Sequence, residues 1–84
     1  MSLIKLLTEQ TDNFRLSFQV PYNRIPYLLD KLTSQNPQLK TGEKDGVTYV
    51  WDGETNEVLL KYDFDSRTMF SDLPFNELLN LGKE

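Results

Sequence analysis

The sequence predicts an α+β domain: an antiparallel sheet of about four to five strands, mostly a meander, with two to three helices packed on one face. Three observations predict it. Phe14, Leu16, Phe18 and Val20 alternate with polar residues, the period of a strand with one buried and one wet face. Ile25, Leu28, Leu29 and Leu32 recur at the spacing of a helical stripe. After Pro37, short apolar runs are divided by Gly-, Asp- and Asn-rich pieces of the kind that turn hairpins.

Taken in order, Leu3, Ile4, Leu6 and Leu7 predict a short amphipathic helix over residues 2–10, broken by Thr11-Asp12-Asn13. The alternating strand over 14–20 ends at Pro21. The next helix has Asn23 as N-cap and Pro26 in its first turn, where a missing N–H costs nothing, and Asn36-Pro37 stops it. Residues 38–41 form a short strand and 42–46 a turn around Asp45-Gly46. Residues 47–51 form the next strand, and 52–56 turn back into a strand over 57–64. That last strand places Val58, Leu60, Tyr62 and Phe64 on one face. Asp65-Ser66-Arg67 turns into a brief strand over 68–70. A final helix, capped by Ser71 or Asp72, carries Phe75, Leu78 and Leu79 inward and ends at Gly82. No linker, repeat or low-complexity run divides the chain, so residues 1–84 read as one domain.

Composition narrows the chemistry. The chain has no cysteine and no histidine, which removes thiolate catalysis, disulfides and the commonest general base and transition-metal ligand. Fourteen of its residues are leucine and none is alanine, so the apolar residues are large and a small chain can still bury a core. No run approaches the ~20 apolar residues of a membrane span. The start has too short an apolar run for a signal peptide. A cytoplasmic protein is the expectation. Residues 1–42 carry five bases and three acids, whereas 43–77 carry nine acids and three bases. An acidic half of that kind disfavours binding to a nucleic-acid backbone.

The motifs that would carry chemistry are absent or incomplete. Asp52 to Asp63 places oxygen ligands at the first, third, fifth and twelfth positions of a calcium loop. However, Glu57 stands where that loop needs glycine, and Asp63 where it needs a bidentate glutamate. Asp63 and Asp65 share a strand face but have no third ligand beside them, and Arg67 is close by. No phosphate loop, dinucleotide fingerprint or nucleophile elbow occurs. The aromatics Tyr49, Trp51, Tyr62, Phe64 and Phe70 lack the basic ribonucleoprotein signature and read as core. No catalytic residue, cofactor site or metal site is therefore expected.

The exceptions to alternation suggest a partner surface. With Val58, Leu60, Tyr62 and Phe64 turned toward the helices, Leu59 faces solvent between Glu57 and Lys61, and Val50 or Trp51 joins it. Apolar and aromatic residues clustered on a polar sheet face are what a protein interface uses. The expected partner-binding residues are Val50, Trp51, Asp52, Glu54, Glu57, Leu59 and Lys61. The expected function is a small non-catalytic protein–protein interaction module, a regulatory or adaptor subunit with another protein as partner. The alternative is an acidic inhibitor or immunity-type protein that blocks a basic site. A homodimer through an exposed edge strand also fits the pattern.

Overall fold

A computed structural model of the chain describes residues 14–81. Strand β1 (Leu16–Gln19) leads through a 3₁₀ turn (Tyr22–Arg24) into helix α1 (Ile25–Gln35). Four strands follow, β2 (Leu39–Lys44), β3 (Val47–Asp52), β4 (Val58–Asp63) and β5 (Thr68–Ser71), and then a short helix α2 (Phe75–Leu79). The five strands form one antiparallel sheet in the order β1-β5-β4-β3-β2. The chain crosses the sheet once, through α1, and then meanders back until β5 lies beside β1. The α+β class and the meander agree with the sequence expectation, with one long helix. The helix expected over 2–10 and the stop at Gly82 lie outside the described residues.

The helical stripe builds the core. Ile25, Leu28 and Leu32 of α1 and Leu78 of α2 meet Leu39, Val50, Leu60, Tyr62 and Met69 from one face of the sheet. The Tyr62 ring meets Phe64 edge-on at 4.8 Å, and its hydroxyl donates to the carbonyl oxygen of Val20. That bond joins β4 to the end of β1 across the intervening β5. At the far end of α1, the buried Asn36 donates through Nδ2 to the carbonyl oxygens of Leu32 and Leu81, both at 3.0 Å. It thereby closes the helix and holds residue 81 against it.

Several boundaries differ from the sequence reading for local reasons. Asn23 sits inside the 3₁₀ turn and does not cap α1; Arg24 occupies the cap position without a side-chain bond. Strand β2 runs on to Lys44 because the reversal needs only two residues. Asp45 (φ 54°) and Gly46 (φ 78°) both adopt the left-handed conformation of a tight hairpin turn. Ser71 ends β5 and does not cap α2: its Oγ donates to the Leu59 carbonyl and accepts from Leu73 N–H. Asp72 likewise does not cap; it accepts the backbone N–H of Arg15 at 2.9 Å.

The largest correction concerns β4. Val50 pairs with Leu60 but Trp51 pairs with Val58, so Leu59 is an extra residue, a bulge. Alternation resumes in the opposite sense on its other side. Val58 therefore joins Val47, Tyr49 and Trp51 on the face away from α1, while Leu59 packs with Leu60 against the main core.

Candidate functional site

The seven expected partner-binding residues do not form one exposed patch. Val50 is wholly buried beneath α1 and can present nothing to a partner. Trp51 is also buried, at 7% exposure, though on the opposite face of the sheet. Its ring lies over Gly42, where a Cβ would come within 3.1 Å of the indole. Leu59 is half-buried against the core through the bulge. Lys61 stretches along the face opposite α1, with its ammonium 4.9 Å from the centre of the Phe70 ring. The expectation that Leu59 faces solvent, joined by Val50 or Trp51, is thus overturned by the bulge and by the packing on both faces.

The acids fare differently. Glu54 and Glu57 are exposed on the β3–β4 loop. Asp52 is half-buried, and its Oδ1 accepts the N–H groups of Glu54 at 2.7 Å and Thr55 at 3.2 Å, which shapes the loop. Asp52, Glu57 and Leu59 do meet, with Val58, Asn36 and Leu39, around a shallow depression of about 230 Å³. Asp63 accepts in the same way from Asp65 and Ser66 N–H, so it shapes its own turn. Among the described residues, no group of three acids is placed to hold a metal ion. No helix among them is long and apolar enough to cross a membrane.

A second surface is better formed. Among the described residues, the large apolar side chains left exposed are Leu16 (37%), Tyr22 (57%) and Tyr27 (59%), all within residues 16–27. This segment holds edge strand β1, the 3₁₀ turn and the start of α1. A groove of about 290 Å³ runs beside it, lined by Phe18, Gln19, Val20, Pro21, Arg24 and Phe75. Phe18 and Val20 enter it because they share the helix-side face of β1, and Phe75 closes it from α2. The volume lies at the lower limit of the ~300–1,000 Å³ usual for small-molecule sites.

Arginines surround the same strand. The chain's three arginines are Arg15, just before β1, Arg24 in the 3₁₀ turn, and Arg67 in the β4–β5 turn. Arg67 is held there by the bond from Val20 N–H to its carbonyl, at 2.9 Å, and its guanidinium stands 5.2 Å from the centre of the Tyr22 ring. It does so at φ 56°, a conformation that favours glycine over arginine. The arginines are spread over fifty-two positions of sequence, and only the pairing of β1 with β5 brings them to one strand. Arg15 and Arg24, flanking an alternating strand, are a partial signal in the sequence; Arg67 and Phe75 give none. No protein-family model, curated protein or solved structure matches the chain.

Proposed function

We propose that the chain is a non-catalytic, cytoplasmic protein-interaction module, and that its binding surface is the β1 corner with its groove. The supporting observation is that, among the described residues, the exposed large apolar side chains Leu16, Tyr22 and Tyr27 all belong to the segment that carries a sheet edge. Exposed aromatic and aliphatic residues beside a groove are the usual anchors of a protein interface, and arginine is the charged residue most enriched there. The β3–β4 loop, with Glu54 and Glu57, supports the alternative of an acidic inhibitor.

The two readings separate in one experiment. The tagged chain serves as bait in lysate at low and moderate salt, beside a corner variant (Leu16→Glu with Tyr22→Ser) and a loop variant (Glu54→Lys with Glu57→Lys). The interaction-module reading expects one near-stoichiometric protein retained at both salts by the parent and the loop variant, and lost by the corner variant. Loss by the loop variant and with salt would favour the acidic inhibitor. An empty result with folded bait would refute both.

A further inference from the structure

The β1 strand is an edge, and the register fixes which of its backbone groups are free to pair. Val20 N–H donates to the Arg67 carbonyl, and the pairs Phe18↔Met69 and Leu16↔Ser71 continue that series two residues at a time. In an antiparallel ladder, the residues of those pairs turn their N–H and C=O groups toward the neighbouring strand, and the residues between them turn theirs away. Ser17 and Gln19 therefore point their backbone groups outward, at an edge that pairs with no strand among the described residues. The opposite edge is guarded: β2 carries exposed Lys40, Glu43 and Lys44, the charges that discourage strand addition. The four residues of β1, Leu16–Gln19, carry no charge at all.

A strand added at this edge would lay alternate side chains along the helix-side groove, over Phe18, Val20 and Phe75, with Arg24 at the rim. Charge decides what kind of strand. Arg15 stands before β1, and Arg24 and Arg67 after it. A second copy of this chain, paired antiparallel to β1, would bring its Arg15 against Arg24 and Arg67 at both ends of the seam. Asp72 stands with Arg15 at the start of the strand and accepts its N–H, so the positive charge of this edge is concentrated in Arg24 and Arg67. An acidic segment meets these two guanidinium groups with the geometry to grip carboxylates, whereas a second copy would add its own Arg15 to them.

We infer that β1 is a docking edge for an extended acidic peptide of a partner protein, which adds as a sixth strand. Its backbone pairs with Ser17 and Gln19, alternate apolar side chains enter the groove beside Phe18 and Phe75, and carboxylates meet Arg24 and Arg67. This inference rests on the interaction-module reading and names the chemistry of the partner.

The test titrates the full chain, labelled with ¹⁵N, with a short capped peptide of alternating valine and glutamate. One control replaces glutamate with lysine; another carries N-methyl groups on alternate amides, which blocks backbone pairing. The expected result is shifted Ser17 and Gln19 amide signals and, at saturation, about tenfold or slower hydrogen exchange at these amides. The lysine and N-methyl peptides should bind at least about tenfold more weakly. Arg24→Gln should weaken the glutamate peptide about two- to fivefold, as expected of an exposed charge pair. Equal binding of the control peptides, or shifts confined to the β3–β4 loop, would overturn the inference. So would a dimer in sedimentation equilibrium whose Ser17 and Gln19 amides are already protected without peptide. No peptide binding, with capture from lysate still dependent on Leu16 and Tyr22, would refute strand addition and leave the module standing. Failure of both would remove the module as well.

Discussion

Replacing Tyr62 with phenylalanine removes a single oxygen atom from the centre of the protein. The ring is wholly buried and its edge-on contact with Phe64 survives, so no cavity opens. What disappears is the hydroxyl that donates to the Val20 carbonyl. Val20 is itself buried, at 4% exposure, so its oxygen would lose this donor with little water to replace it. A lost bond that leaves a buried acceptor without its partner costs about 1–3 kcal/mol. At about 4–8 °C per kcal/mol for a domain of this size, a cost near 2 kcal/mol lowers the melting temperature by about 8–16 °C. Thermal and urea melts followed by far-ultraviolet circular dichroism measure it. A melting temperature within about 2 °C of the parent would refute the reasoning, because the end of β1 would then not depend on the hydroxyl. The same variant has a pH signature. Burial, more than the lowering by Arg67 or the raising by Asp63, holds the Tyr62 hydroxyl above its ordinary range. Above about pH 10 the unfolded chain gives up this proton while the folded chain keeps it. The unfolded state then binds fewer protons, so stability is present below that pH and falls as pH rises. The parent should lose stability there faster than Tyr62→Phe; parallel curves would contradict the assignment.

Three further outcomes follow from local geometry. Gly46→Ala has open space for its methyl group, but φ 78° strains any L side chain, so urea melts should report a loss of about 1–2 kcal/mol with an unchanged slope. Gly42→Ala should displace the Trp51 indole, whose nearest atom would lie 3.1 Å from the new carbon, shifting its fluorescence and costing about 1–3 kcal/mol. Asn36→Ala removes both Nδ2 bonds, so it should cost about 1–2 kcal/mol and speed hydrogen exchange around residues 78–81 more than in β3 or β4.

How far the sequence could be read depended on which physical signal each part carries. The α1 stripe was legible because Ile25, Leu28 and Leu32 obey a period that solvent enforces. The tight turn was legible because Asp45-Gly46 is a local conformational preference. The bulge was not, since Val58, Leu59 and Leu60 are all aliphatic and a run without polar residues holds no record of parity. That one residue moved Val58 to the other face and turned Leu59 inward, and with them went the expected patch. The burial of both Val50 and Trp51 has no local signal, because burial on the two faces of β3 depends on which strands flank it. For the β1 corner the chain offered half a signal. Alternation puts Leu16 on the same face as Phe18 and Val20. Strand order decides that this face ends at an edge, where Leu16 remains 37% exposed. Phe18 and Phe75 share a groove from positions fifty-seven residues apart, a proximity no local pattern encodes.

The unequal edges of the sheet set the number of strands this protein can accept. With β2 fenced by Lys40, Glu43 and Lys44 and β1 uncharged, the described sheet has one receptive edge, a valence of one. A strand added at β1 would gain nothing at β2, so growth would terminate at a one-to-one complex instead of propagating along a fibre. A sheet with one receptive edge would cap the strand it receives. Replacing the three charges of β2 with threonine would give the sheet a second receptive edge, and with it a route to open-ended assembly.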